Sequence, residues 1–189
     1  MKAFVESEEF KKLNVGFVLD EGVASQNNVL ELFYGKKIRW RRSSKQRNTP
    51  EFTLSIDWRI AITVDLEEFE ATLNKWCKEA DEGVWIEYQQ KDSQVPPTKL
   101  DESNPYWIAF KKAADNMNLQ LKPLILDGGT DSRFVRALNI PALGFSPMPN
   151  TILLAHDHDE YLNMDVFLRG IEIYWQLITA VANVEDKVK

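Results

Sequence analysis

Apolar positions change their period several times along this chain, and each change predicts an element. Residues 15–19 (VGFVL) form a short apolar run closed by Asp20-Glu21-Gly22, the pattern of a buried strand that delivers acidic side chains at its C-terminal edge. Residues 29–34 (VLELFY) predict a second strand, antiparallel to the first across the polar turn Ser25-Gln26-Asn27-Asn28. Residues 52–64 (FTLSIDWRIAITV) alternate as a half-buried strand. Asp65-Leu66-Glu67-Glu68 then has the form of a capping box, with an acid at the N-cap and Glu three residues later. The helix that follows places Leu66, Phe69, Leu73, Trp76 and Ala80 on one face, Gly83 ends it, and residues 84–88 (VWIEY) alternate as another strand.

Beyond a polar stretch at 94–103 the pattern becomes an alternation of helices and strands. Asn104-Pro105 opens a helix to about Met117, with proline in the tolerated first turn. A strand is expected over 121–126, a short helix over 131–138 and a strand over 142–145. A last helix is expected from about Glu160 to Val184, with Met164, Phe167, Ile171, Tyr174, Leu177 and Val181 at helical spacing. Such alternation implies an α/β fold, a parallel sheet flanked by helices. The intervening segment at 36–47, KKIRWRRSSKQR, packs seven basic residues into twelve and reads as a solvated junction. The expected organisation is therefore residues 1–37, a linker at 38–51, a strand–helix–strand unit at 52–93, and 94–189. A three-element unit cannot bury its sheet alone.

Composition narrows the classes. Apolar residues make up 44% and charged residues 28% of the 189, with six Trp and ten Phe, enough for a real core. The net charge of -6 argues against a nucleic-acid protein, despite the local basic run. The single cysteine, Cys77, excludes an internal disulfide framework and fits a reducing compartment. No apolar run approaches the roughly 20 residues needed to span a bilayer. The first residues, MKAFVESEEFKK, have neither signal-peptide nor transit-peptide character, so a cytoplasmic location and no membrane partner are expected.

Three clusters can carry chemistry, each with a plainer explanation beside it. Both histidines fall in His156-Asp157-His158-Asp159-Glu160, where imidazole and carboxylate suit zinc; the same letters describe a solvated acidic loop whose Asp159 caps the last helix. Asp20 and Glu21, at a strand end, are candidate ligands from elsewhere in the chain, or a polar turn. Gly128-Gly129-Thr130-Asp131-Ser132-Arg133 offers close backbone approach, a helix start with unpaired N–H groups, and an arginine able to grip a carboxylate. A glycine turn followed by a Thr N-cap accounts for it equally.

Taken in order, FVLDEG, TDSRFVRALNIPALGFSPM and LLAHDHDEYL resemble the C-terminal two thirds of the aminoacylase-1 family, in the zinc peptidase–deacylase superfamily. The resemblance runs from Phe4 to about Val181, with an interruption near residues 36–50. It implies a zinc-peptidase-like catalytic domain with an α+β lid, and hydrolysis of N-acyl-L-amino acids by two zinc ions that share a bridging aspartate and an activated water. By this resemblance Glu21 is a ligand of one zinc and His156 of the other, while His158 takes no ligand position. Thr130, Arg133 and Gly144 match the region that receives the substrate's α-carboxylate and backbone, and Arg59 matches a lid arginine that approaches the substrate.

The departures are as informative. The family's HxD motif and its paired glutamates, including the general base, are expected upstream of Met1, so no catalytic residue is assigned within this chain. Glu21 and His156 would then give each zinc one protein ligand, where a catalytic zinc takes about three. Residues 52–90 resemble only the second half of the lid, whose first half carries a Gly-His motif and is replaced here by 38–50. The lid forms the family's homodimer interface, and its halving puts dimerisation in question. The expected function is that of an aminoacylase-type zinc amidohydrolase, inactive as this chain. The alternative is a non-catalytic fragment that binds acyl amino acids or the full-length enzyme.

Overall fold

The computed structural model describes residues 1–42 and 54–185, and the chain divides into two compact units, Met1–Lys36 with Pro97–Lys189, and Lys37–Pro96. The end of the basic run and the start of the strand expected over 52–64 lie outside the described residues.

The first unit is built on a four-stranded sheet of order β1-β7-β2-β6, comprising Val18–Asp20, Ala142–Phe145, Val29–Lys36 and Gln120–Leu126. Strands β1 and β7 are parallel, β2 and β6 are parallel, and β2 runs antiparallel to β7. The sheet is therefore mixed, and the parallel sheet expected from the alternation is corrected. The cause is the connection after β1: only eight residues separate Asp20 from Val29, too few for the crossover of about a dozen that a parallel return requires. The two strands are opposed in direction as expected, but they are not neighbours, because β7 lies between them. Strand β6 closes one edge, where Pro123 opposite Leu32 is tolerated since its other side has no ladder to feed.

Helices cover both faces. Leu30, Leu32, Leu143 and Phe145 pack against Phe110 and Ala114 of α4 (Pro105–Asn116) and Ile173 and Leu177 of α6 (Met164–Ala182). A smaller cluster joins Ala142 to Val135 of α5 (Ser132–Arg136), Val5 of α1 (Lys2–Val5) and Phe10 of α2 (Glu8–Lys12). The Asn104 side chain accepts from the N–H groups of Tyr106 and Trp107, which caps α4 as its sequence predicts. The last helix starts later than expected, at Met164, capped by Asn163 rather than Asp159. Its buried face runs through Gly170, Ile173 and Leu177, while Met164, Phe167 and Ile171 point outward and are more than half exposed. The chain leaves and re-enters this unit side by side: Thr98 N–H donates to the Tyr34 carbonyl (2.7 Å), and Pro97 lies so close to Gly35 that a Cβ there would meet it at 2.9 Å.

The second unit is a three-stranded antiparallel sheet, β4-β3-β5, with helix α3. Strand β3 is Ile38–Arg42, so the linker expected from 38 onward is corrected for these residues: they form the central strand. Period-two alternation explains it. Ile38 and Trp40 are 2% and 1% exposed, while the cationic side chains of Arg39 and Arg41 lie on the other face. Strand β4 is Asp57–Ile60, and β5 is Tyr88–Lys91 rather than 84–88. Residues 81–84 are spent on the turn that leaves α3 (Leu66–Ala80), closed by Val84 N–H on the Asp81 carbonyl, and Val84 and Trp85 stay exposed. Asp65 caps α3 through the N–H groups of Glu67 and Glu68, as predicted. Leu66, Phe69 and Leu73 of α3 face Ile38, Trp40 and Ile60, but Trp76 and Ala80 are exposed.

Candidate functional site

Of the residues expected from the sequence, Glu21, Gly144 and the segment Thr130–Arg133 lie near the C-terminal ends of β1 and β7. Their parallel register sets Asp20 beside Gly144, and the two backbones come unusually close. A Cβ on Gly144 would sit 2.7 Å from the Glu21 carbonyl oxygen, and one on Gly22 would sit 2.6 Å from Ser146 N. Gly144 is fully buried between the strands, so it permits this approach. The Gly22 N–H donates to Ser146 Oγ (3.0 Å), which fixes the turn after Glu21. The Glu21 side chain itself is exposed.

Asp20 points the other way and is engaged by the segment around α5. Its Oδ1 accepts from Glu21 N–H (2.9 Å); its Oδ2 accepts from Ser132 N–H (3.0 Å) and from the Ser132 hydroxyl. Thr130 Oγ1 lies 3.3 Å from Ser132 Oγ. Burial raises the Asp20 carboxyl, but the hydrogen bonds from Ser132, Glu21 and Thr130 outweigh it and hold the group below the usual carboxylate range. Asp20, one of the two acids read as candidate ligands, thus spends both oxygens on the protein. The helix start read as a source of free N–H groups is likewise taken, because Ser132 N–H goes to Asp20 and Phe134 N–H to Asp131. The expected Thr cap is not made: Asp131 occupies the N-cap, and its side chain forms no capping bond.

Arg133 is half-buried, with its guanidinium 4.5 Å over the Phe134 ring and Nη1 close to Gly129. Among the described residues it has no acidic partner within ion-pair distance. Arg136, one turn later, is 6% exposed and donates to the Ala142 carbonyl (3.2 Å); burial lowers it to about 10, against the pull of Asp20. Thr98 exchanges hydrogen bonds with both backbone groups of Ala142 (2.7 and 2.9 Å). Ser132 and Arg136 lie inside motifs read from the sequence but were given no role of their own, and no pattern touched Thr98; burial and hydrogen bonds reveal all three.

His156 occupies an exposed turn in the left-handed conformation (φ 68°). The turn is joined to the Glu21 loop by a cavity of about 350 Å³. Gly22, Val23 and Ala24 line one part of it; Ala155 and Glu160, which bracket the histidine segment, line another, and Leu154 and Tyr161 complete an apolar wall. His158 is 95% exposed, 3.5 Å from Asp157. Arg59 belongs to the second unit, in β4, where Asp57 accepts from it (3.1 Å) and more closely from Arg39 (2.6 Å), the residue paired with Arg59 across the strands. Glu21 and His156 are the right donor types for zinc, yet among the described residues no group of three His, Cys, Asp or Glu is placed to hold a metal. The residues present therefore do not complete a catalytic zinc site by themselves. No described helix is long and apolar enough to cross a membrane.

Known proteins resemble this chain along nearly its whole length. The chain is 35% identical to aminoacylase-1 of Mus musculus and 34% identical to aminoacylase-1 of Homo sapiens, each over 247 residues that cover 97% of this chain and 60% of the relative. Aminoacylase-1 of Dictyostelium discoideum is 29% identical over 259 residues, 98% of this chain and 63% of the relative. The chain thus spans about three fifths of the length of the curated relatives it matches. The 247-residue span also exceeds the 97% of 189 residues it covers here, about 183, so the mouse and human proteins hold about 64 residues within it that have no counterpart. The profile of the peptidase family M20/M25/M40 matches residues 1–180, nearly the entire described chain. With a mixed α/β domain and the site elements at adjoining strand ends, the chain belongs to peptidase family M20/M25/M40.

Proposed function

We propose that this chain carries part of the site of an aminoacylase-type zinc amidohydrolase, one that hydrolyses N-acyl-L-amino acids to a carboxylate and a free amino acid. Glu21 and His156 would each give one ligand to a different zinc, and the Thr130–Arg133 segment would receive the substrate's α-carboxylate. The observation that carries this reading is the junction of β1 and β7. It sets Glu21 against Gly144 and, through Asp20, against the segment that bears Arg133. Arg133, without an acidic partner among the described residues, has a planar fork suited to a carboxylate. Zinc, when bound, would supply an activated water. The protein's part here is to orient that metal's ligands and the carboxylate.

On the same reading this chain alone does not turn over substrate, because each zinc has one ligand from it and no general base is assigned within it. The test is an assay of the purified 189-residue protein on N-acetyl-L-methionine with added zinc. No release of methionine is expected; turnover that is lost in Glu21→Ala would refute the inactivity. A second reading, a non-catalytic binder of acyl amino acids, is favoured by the contrast between a built carboxylate segment and a short ligand set. Calorimetry with N-acetyl-L-methionine and with its carboxamide tests the carboxylate site that both readings share. Binding of the acid only, abolished in Arg133→Ala, supports the carboxylate site, and equal binding of both removes it.

A further inference from the structure

We infer that Asp20 is a positioning residue, which locks the zinc-ligand segment at Glu21 to the carboxylate-receiving segment at Thr130–Arg133 so that the two move as one body. The inference deepens the proposed function and rests on its reading of those two segments.

The geometry is specific. One carboxylate spans two chain segments 112 positions apart: Oδ1 receives the N–H of Glu21, the next residue, and Oδ2 receives both donors of Ser132. Ser132 is 1% exposed, so its hydroxyl has no route to water as a substitute partner. The contact is not needed to hold β1 in the sheet, since β7 already pairs with it from Val18 to Asp20. What Asp20 adds is a fixed relation between the peptide of Glu21 and the first turn of α5. Hydrogen bonds to an ionised carboxylate are short and directional, which suits a clamp. The arrangement also assigns the acidic pair two roles: Asp20 holds, and Glu21, exposed, is left to bind.

Hydrogen exchange on the free chain tests this without any ligand. In Ser132→Ala the amides of Glu21 and Gly22 are expected to exchange about tenfold faster, together with residues 130–134, while Leu30 and Leu32 in the core keep their rates. Ser132→Thr, which retains the hydroxyl, should restore protection at Glu21. A rate at Glu21 unchanged in Ser132→Ala overturns the inference, and so does a uniform acceleration across the unit, which would mean a general structural role. If Ser132→Ala does not fold, Asp20→Asn, which keeps the side-chain volume, is read by the same criteria. Calorimetry supplies a second arm: zinc and N-acetyl-L-methionine should both bind Asp20→Asn several-fold more weakly than wild type, and unchanged affinities overturn the inference. Failure of the wild-type chain to bind either ligand counts against the proposed function alone, and exchange then decides the clamp.

Discussion

Replacing Gly144 by alanine adds one methyl group at the tightest point of the site. Gly144 does not have a positive φ, so the backbone conformation is no obstacle; the obstacle is space. The new Cβ would lie 2.7 Å from the Glu21 carbonyl oxygen and 3.3 Å from Phe33 Cβ. The first neighbour is backbone, and relief requires β1 and β7 to separate by several tenths of an ångström. Overpacking of this kind costs about 1–3 kcal/mol. For a chain of this size each kcal/mol lowers the midpoint by about 2–4 °C, so a fall of roughly 2–12 °C is expected. Gly128→Ala is the matched control, since its Cβ would meet only Leu126 side-chain atoms, at 3.6 Å and beyond, an ordinary contact. That variant should stay within about 0.5 kcal/mol of wild type. Thermal unfolding followed by circular dichroism gives the midpoints, and hydrogen exchange at Glu21 reports whether the loss begins at the strand junction. A Gly144→Ala protein that melts with the wild type and keeps its Glu21 protection would refute the close-approach argument.

Three further outcomes follow from other parts of the molecule. Trp40→Ala removes a side chain 1% exposed that contacts Phe69 and Tyr88, lies under Lys91 and donates to the Asp92 carbonyl; a loss of about 3–5 kcal/mol is expected, read by chemical denaturation as earlier opening of β3–β5. Asp57 is held below the usual carboxylate range first by its hydrogen bond from Arg39, then, against desolvation, by the charges of Arg59 and Arg39. Its stabilisation is therefore present above the unfolded value near 3.8 and lost as pH falls through the lower folded value, so the stability gap to Asp57→Asn should close in acid and shrink with salt. On α6, Ile171 and Trp175 are 52% and 72% exposed; Ile171→Glu and Trp175→Glu should change stability by less than about 0.5 kcal/mol, while reducing binding of an apolar dye.

Local chemistry was the most legible part of the sequence. Asp65 and Asn104 announced their boundaries because N-capping is decided by a few neighbouring atoms, whereas α3 ends at its C-cap Asp81, before Gly83. Strand order was not legible, since the insertion of β7 between β1 and β2 depends on pairing across more than a hundred residues. The basic run concealed β3, as charge density masked the alternation of Ile38 and Trp40. On α6 the apolar residues encircle more of the helix than one face can bury, and periodicity alone could not choose between the stripe through Ile173 and that through Ile171.

The candidate site follows the same division. DEG, TDSR and HDHDE marked the candidate segments, and the fold brings the first two into direct contact. Their internal roles depend on a rule the sequence does contain: successive residues leaving a strand point to opposite sides. Asp20 ends β1 and turns toward Ser132; Glu21 follows it and turns to solvent. In this fold the two carboxylates therefore diverge, and the pair does not supply two adjacent ligands. The clamp on one side is the counterpart of the exposed carboxylate on the other, and Gly22, which tolerates the close approach of Ser146, lets the chain turn away immediately after both.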